Sequence, residues 1–137
     1  MQIDGGCHCG KISYTAEIDP ERVAICHCTD CQTLSGTAFR TAVPAAKSGF
    51  ELKSGQPKIY VKTAESGAQR AQAFCGECGT PIYASAVTDA QVFMIRVGSS
   101  RQRAQLRPKG QIWCRSALDW VMEPGAISGM AKRAMQV

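Results

Sequence analysis

The sequence predicts a mainly β, antiparallel fold in a single domain. A length of 137 residues is typical of one domain. Short stretches in which apolar and polar residues alternate recur between glycines, prolines and serines, and little of the chain shows the period of a long helix. With 45% hydrophobic and 20% charged residues, the composition is that of an ordinary folded protein. We therefore expect residues 1–137 to form one domain.

Strands are predicted wherever the alternation is clearest. In chain order, the predicted strands cover Ile12 to Ile18, Phe39 to Val43, Ile59 to Val61, Ala71 to Phe74, Ile82 to Ala84, "VFMIRVG" at 92–98 and "QIWC" at 111–114. Many short strands with turn residues between them are typical of antiparallel sheets. One helical turn is predicted from Thr29 to Ser35, and a short helix in the tail "GAISGMAKRAMQV" at 125–137.

Targeting and membrane segments are not predicted. No apolar run approaches the roughly 18 residues that a bilayer span requires. The first residues also lack the basic stretch and following apolar stretch of a secretory signal. We therefore expect a cytoplasmic protein with no membrane partner.

The eight cysteines are the most informative residues. Cys7 and Cys9 are separated by one residue, and "CHCTDC" at 26–31 places three cysteines within six positions. Cys75 and Cys78 form a further C-x-x-C pair. Such spacings let thiolates converge on one ion but make poor disulfides. The pattern therefore predicts metal binding, with two Zn²⁺ ions per chain, rather than a disulfide framework.

The grouping of the cysteines decides whether a metal site is open or closed. If the C-x-C pair at Cys7 joins the pair at Cys75, four thiolates close one structural site, and Cys26, Cys28 and Cys31 remain. Three thiolates leave zinc one open position, which is typical of a catalytic site. If Cys114 supplies a fourth thiolate, the second site is closed as well. A third possibility groups the cysteines at 7, 9, 26 and 28, and those at 31, 75, 78 and 114.

Histidine and overall charge suggest no further partner. In an extended segment alternate side chains share a face, so His8 and His27 are expected to point away from the metals. The formal charge of +5 falls to +2 if seven thiolates hold two divalent ions. Four basic residues at 101–109 are expected to form a solvated loop. We therefore expect no nucleic acid partner.

Four motifs together resemble the glutathione-dependent formaldehyde-activating enzyme family, which includes centromere protein V. They are "GGCHCG", "CHCTDCQ", "FCGECGTPIY" and a P-x-x-x-IW-x-x-S-x-x-x-W stretch, and they extend from about Gly5 to Trp120. The resemblance implies a compact, zinc-stabilised fold of β-tent type. It also implies a structural zinc at Cys7, Cys9, Cys75 and Cys78, and a second zinc at Cys26, Cys28 and Cys31. The chain departs from its relatives at Gln111, where they commonly carry histidine.

The resemblance implies a carbon–sulfur lyase that joins formaldehyde to glutathione as S-(hydroxymethyl)glutathione. The open site at Cys26, Cys28 and Cys31 suits this activity, because a thiolate-rich zinc prefers a soft ligand such as a substrate thiol. We therefore expect a thiol such as glutathione and an aldehyde as partners. Phe39 and Arg40 are expected near the site, because the chain leaving the metal loop passes there. The alternative is a non-enzymatic, zinc-stabilised module that binds protein or nucleic acid.

Overall fold

The structure is a computed structural model that describes residues 1–122. In that range it is mainly β, as predicted. The strands are β1 Gln2–Gly6, β2 Ser13–Glu17, β3 Ala24–Cys26, β4 Arg40–Ala46, β5 Phe50–Ser54, β6 Lys58–Thr63, β7 Gln69–Phe74, β8 Pro81–Ala86, β9 Val92–Arg96 and β10 Gly110–Ile112. One α-helix, α1 at Thr29–Ser35, connects β3 to β4. The helix predicted at 125–137 lies outside the described residues.

The strands form two sheets. The small sheet has the order β1-β2-β5, and the large sheet has the order β10-β3-β4-β9-β8-β7-β6. Every strand pair is antiparallel except β10 with β3, which is parallel. The mainly antiparallel prediction is therefore confirmed, with one parallel pair that places the segment before Trp113 beside Cys26.

All seven predicted strands are present, and three further strands were not predicted. The first of these, β1, contains Asp4 and two glycines and shows no clear alternation. The strand β3 has only three residues, and β5 has three polar residues among five. Each of these strands depends on pairing with a neighbour for its stability, because its own sequence favours strand formation only weakly.

Both sheets contribute side chains to one hydrophobic core. The buried residues include Ile3 and Tyr14 from the small sheet and Val43 and Ile95 from the large sheet. Such a shared core fixes the position of the strand ends that carry the cysteines. Within residues 1–122, none of the helices has both the length and the apolar character needed to cross a membrane.

The helix α1 is short and is defined at both ends. Cys28 is its N-cap, and the Cys28 sulfur accepts a hydrogen bond from the backbone N–H of Cys31 at 3.3 Å. Gly36 ends the helix with φ of 71°, a left-handed conformation that glycine adopts without strain. Its N–H donates to the carbonyl of Gln32 at 3.0 Å. The cap at Cys28 therefore brings its sulfur back over the first turn, where Cys31 lies.

Candidate metal centres

Two hairpin turns bring four cysteines together. Cys7 and Cys9 lie in the turn between β1 and β2, and Cys75 and Cys78 lie in the turn between β7 and β8. The four sulfurs all lie within 4.8 Å of one another. The turns also contact each other directly, because the backbone N–H of His8 donates to the Thr80 hydroxyl oxygen at 3.0 Å. This cluster therefore connects the small sheet to the large sheet.

The backbone at Cys7–Cys9 differs from the extended segment that the sequence predicts. The N–H of Gly10 donates to the carbonyl of Cys7 at 3.1 Å, so residues 7–10 form a tight turn. The turn still places both sulfurs on one side, 3.6 Å apart. His8 is not among the clustered side chains. The prediction of an extended backbone was thus wrong, because the hairpin must reverse direction within these few residues.

The four sulfurs have the spacing that a tetrahedral ion requires. With Zn–S bonds of about 2.3 Å, the sulfurs of a tetrahedral site lie about 3.8 Å apart. The measured separations are 3.6 Å from Cys7 to Cys9 and 3.7 Å from Cys9 to Cys75. Both are far longer than a disulfide bond, and all eight cysteines are free. The four-sulfur cluster therefore fits a metal ion such as zinc.

A hydrogen bond at Cys78 favours the charged form of the sulfur that a metal binds. The Thr80 hydroxyl lies 3.2 Å from the Cys78 sulfur, and this contact and the backbone N–H of Thr80 lower the pKa of the thiol to about 5. Because metals bind the thiolate, such a bond prepares the ligand. The Thr80 hydroxyl thus makes two contacts at the cluster, one with the Cys78 sulfur and one with the backbone N–H of His8.

The second cluster consists of Cys26, Cys28 and Cys31, whose sulfurs also lie within 4.8 Å of one another. Cys26 is the last residue of β3, and the other two belong to the cap and first turn of α1. All three are partly buried. Cys114 is exposed and is not part of the cluster. Among the residues that the structure describes, the second cluster therefore has three sulfurs and no fourth.

Burial and the neighbouring thiols separate the pKa values of this cluster. Burial raises the pKa of Cys31 to about 12, helped by hydrogen bonds that the Cys31 thiol donates to the sulfurs of Cys28 and Cys26. Burial also acts on Cys28, but the backbone N–H of Cys31 and the neighbouring thiols outweigh it and lower its pKa. The Lys62 ammonium, 2.9 Å from the Asp30 carboxylate, adds a smaller lowering effect on Cys28. Cys28 is thus the thiol that ionises most easily. At neutral pH, a bound cation would be needed to deprotonate all three thiols.

His27 is buried between the cysteines but does not belong to the metal cluster. Its Nε2 lies 2.7 Å from Oε1 of Gln111, which comes from β10. Since the glutamine oxygen accepts, Nε2 carries the proton. The Nδ1 atom has no hydrogen-bond partner among the described residues. Gln111 therefore holds the histidine ring beside the cluster.

Several residues around the cluster were not predicted from the sequence. Phe39 and Arg40 were expected near the open site, and both line cavities there. Gln72 and Arg96 were not predicted as site residues. Gln72 accepts hydrogen bonds from both Arg40 and Arg96, and the charge of Arg40 acts on Arg96. The sequence did contain one indication of this site, because Arg96 is a charged residue within the most apolar predicted strand. Trp113 and Trp120, large aromatic residues of a kind that is more often buried, are 46% and 55% exposed.

Comparison with known proteins gives one family and one fold. A sequence model described as glutathione-dependent formaldehyde-activating enzyme matches residues 2–116. The chain is also similar to the crystal structure of a Rhodobacter sphaeroides protein, a structural genomics target, with a TM-score of 0.61 and 17% identity. The aligned region covers 79% of this chain and 98% of that one. At this identity, the likeness establishes the fold alone.

Proposed function

Because the chain belongs to the glutathione-dependent formaldehyde-activating enzyme family, we propose that it is a zinc-dependent carbon–sulfur lyase acting on an adduct of a thiol and an aldehyde. The observation that supports this proposal is the cluster of three sulfurs at Cys26, Cys28 and Cys31, which lacks a fourth protein sulfur among residues 1–122. Three ligands are typical of catalytic zinc sites. The family predicted from the cysteine motifs is confirmed by the match to residues 2–116.

The proposed reaction involves no oxidation or reduction. In the forward direction, the S–H bond of the thiol is broken, the sulfur forms a bond to the carbonyl carbon of the aldehyde, and the carbonyl oxygen receives a proton. In the reverse direction, the C–S bond breaks and the same proton returns to sulfur. The family description names glutathione and formaldehyde, which we propose as the thiol and the aldehyde.

The protein residues would hold the reactants and stabilise negative charge. Cys26, Cys28 and Cys31 are the residues that would bind the second zinc. An ion bound there offers one open position and lowers the pKa of a thiol that occupies it. Arg40 lies close enough to Cys31 to lower the pKa of that thiol, against the larger effect of burial. The same positive charge would favour the anionic sulfur of a substrate over its protonated form.

The four-sulfur cluster is assigned a structural role in this proposal. Cys7, Cys9, Cys75 and Cys78 would hold the structural zinc, which contributes to folding because its ligands come from distant parts of the chain. We propose a single domain over residues 1–137, which the shared core supports for the described residues 1–122. Seven reduced thiols support a reducing compartment, the cytoplasm, as the location of the working protein.

The test is a count of metals and of sulfur ligands. Reduced protein is analysed for bound zinc, and the mean number of sulfur ligands per zinc is measured by X-ray absorption before and after addition of glutathione. We expect two zincs per chain, with one zinc gaining a sulfur ligand on addition of the thiol. An aldehyde is then added, and formation of the adduct is followed by NMR.

Two variants locate the effect. Cys31→Ser should abolish the added sulfur ligand, whereas Cys114→Ser, which changes an exposed cysteine outside both clusters, should behave as the wild type. If both zincs already have four protein sulfurs, or if thiols produce no change, the protein is a zinc-stabilised binding module and the enzymatic proposal is wrong.

A further inference from the structure

Two arginines lie on the large sheet with incomplete hydrogen bonding. Arg40 is 7% exposed, and its Nη1 donates to Oε1 of Gln72 at 3.3 Å. Arg96 donates from Nη2 to the same oxygen at 2.7 Å. The Nε and Nη2 atoms of Arg40 and the Nε atom of Arg96 are buried without a partner in the described chain. One neutral oxygen thus serves two guanidinium groups.

Strand register places both arginines beside the three-cysteine cluster. Arg40 is paired directly with Cys26 across β3 and β4, so the two side chains share a face. Ala42, two residues further along the same face, is paired with Arg96. The cluster and the two guanidinium groups therefore lie in one row on the same face of the sheet.

Both arginines line open space. They belong to the walls of two cavities of about 480 and 440 Å³, which share Arg40, Arg96 and Pro81. The helix that carries Cys31 contributes Leu34 to the first cavity and Ser35 to the second. Phe74 and Tyr83 are among the other residues lining the larger cavity. Both volumes lie within the range of small-molecule sites.

The charges on this face are not balanced by protein side chains. None of the ion pairs within residues 1–122 includes Arg40 or Arg96. Burial, with the positive charge of Arg40 as the next cause, lowers the pKa of Arg96 to about 9, which still leaves it charged at neutral pH. Three thiolates with one divalent ion would supply a single negative charge, against two positive charges from the arginines. One positive charge therefore remains unbalanced. Because charges removed from water are stable only when they are paired, this charge favours binding of an anion.

We propose that Arg40 and Arg96 form a carboxylate-binding subsite beside the three-cysteine cluster, and that the molecule bound there carries a carboxylate next to an apolar group. A guanidinium offers parallel N–H groups that match the two oxygens of a carboxylate. The apolar part of the ligand would contact Leu34 and Phe74 in the larger cavity. That this molecule is a thiol or its aldehyde adduct rests on the proposed function, whereas the subsite itself does not.

The experiment separates the carboxylate from the sulfur. Binding of 3-phenylpropionate, which has a carboxylate and a ring but no thiol, is measured by calorimetry on the zinc-loaded protein. Its uncharged analogue 3-phenylpropanol is measured in parallel. We expect the acid to bind at least tenfold more tightly than the alcohol. Equal binding of both would overturn the proposal.

Variants assign the binding to the arginines. Arg96→Gln and Arg96→Lys should each weaken binding of 3-phenylpropionate at least tenfold, the second because lysine keeps the charge but loses the paired N–H groups. Arg107→Gln, at an exposed arginine, is the control and should leave binding unchanged. Unchanged binding in both Arg96 variants would contradict the assignment.

The stability of Arg96→Gln distinguishes a ligand-binding role of Arg96 from a purely structural one. If Arg96 serves a ligand, Arg96→Gln removes a partly buried charge that has no carboxylate partner in the described part of the chain, and its urea midpoint without ligand should equal or exceed that of the wild type. A lower midpoint together with unchanged ligand binding would assign Arg96 to the structure alone. Mercaptoethanol, which has no carboxylate, tests the thiol site separately through the sulfur count at the second zinc. The subsite and the proposed function can therefore fail independently.

Discussion

At the scale of single residues, the environment of His27 shows how one side chain from a distant strand supports the three-cysteine cluster. The ring is 1% exposed, and Gln111 provides its hydrogen bond at 2.7 Å. Gln32 of α1 also donates to the carbonyl of His27 at 2.8 Å. The segment between Cys26 and Cys28 is therefore held from two sides, which limits how far the two sulfurs can move apart.

Removal of the glutamine should weaken this support. Gln111→Ala leaves the buried Nε2 of His27 without its partner, which costs about 1 kcal/mol of the free energy of unfolding. Urea denaturation of the zinc-loaded protein measures the change, and Gln56→Ala, at an exposed glutamine, is the control. Gln111→His, which again offers a ring nitrogen, should recover part of the loss. An unchanged midpoint in Gln111→Ala would show that water replaces the glutamine.

Tyr14 should make stability depend on alkaline pH. Burial, opposed by the hydrogen bond to Ser99 at 2.8 Å, raises the pKa of the Tyr14 phenol above the usual 10. In the unfolded chain the phenol ionises near 10, so between that pH and the higher folded pKa only the unfolded state gains from ionisation. The free energy of unfolding should therefore fall as the pH rises above 10, and the fall should be smaller in Tyr14→Phe. Urea titrations at pH 8.5 and 11 measure both, and equal slopes would contradict the prediction.

The sequence predicts contacts between residues that are close in the chain better than contacts between residues on distant strands. The cysteine spacing brings Cys26, Cys28 and Cys31 together because all three are local in the chain. The pairing of Arg40 and Arg96 with Gln72 depends on three strands whose order and register follow from the whole sheet. No local pattern specifies which face of a strand carries a particular arginine, and so the arginines were not predicted as a pair.

At the scale of elements, α1 is the part of the structure closest to its prediction. The boundaries Thr29–Ser35 agree with the predicted helical turn. Its residues carry local signals, since Asp30 lies in the first turn and Gly36 follows the last residue. The strands β1, β3 and β5 carry weaker local signals and form because partners are present, which a local pattern does not contain.

The end of α1 provides a test at this scale. Gly36 has φ of 71°, and a Cβ added there would meet no atom within 4 Å, so only backbone strain opposes a side chain. Gly36→Ala should therefore cost about 1 kcal/mol of the free energy of unfolding. Gly110→Ala, at a glycine with equal open space but no positive φ, is the matched control and should change the stability much less. Equal losses in the two variants, measured by urea denaturation, would rule out the strain at Gly36 as the cause.

At the scale of the whole molecule, the four-sulfur cluster joins two sheets that share no strand pair within residues 1–122. Gly5 of β1 forms an isolated bridge with Ser100, which lies beyond the end of β9. Its four cysteines come from hairpin turns about seventy positions apart in the chain, and Cys75 is 2% exposed within the core. The three-cysteine cluster, in contrast, connects only β3 to α1. The two clusters should therefore contribute very differently to global stability.

Substitution of one ligand in each cluster tests this difference. Cys75→Ser should lower the free energy of unfolding by at least about 2 kcal/mol or prevent folding, because it opens the connection between the sheets. Cys31→Ser should retain most of the stability and the β-rich circular dichroism while the zinc content falls from two to one per chain. Cys114→Ser is the control for loss of a thiol. Equal destabilisation by Cys75→Ser and Cys31→Ser would contradict the separate roles of the clusters.

The sequence predicts the class of the fold but not its layout. Alternation located seven strands, and the resemblance from the motifs indicated the family. The strand order β10-β3-β4-β9-β8-β7-β6 was not predicted, because pairing between sequence-distant strands depends on the packing of the whole core.

The position of the cysteines along the chain has a consequence for synthesis on the ribosome. The cysteines of the three-cysteine cluster lie within six positions of the chain, so they leave the exit tunnel almost together, at Cys26, Cys28 and Cys31. The four-sulfur cluster stays incomplete until Cys78 has emerged. An ion that reaches the nascent chain therefore meets the three-cysteine cluster, the proposed catalytic site, before the four-sulfur cluster to which we assign the structural role.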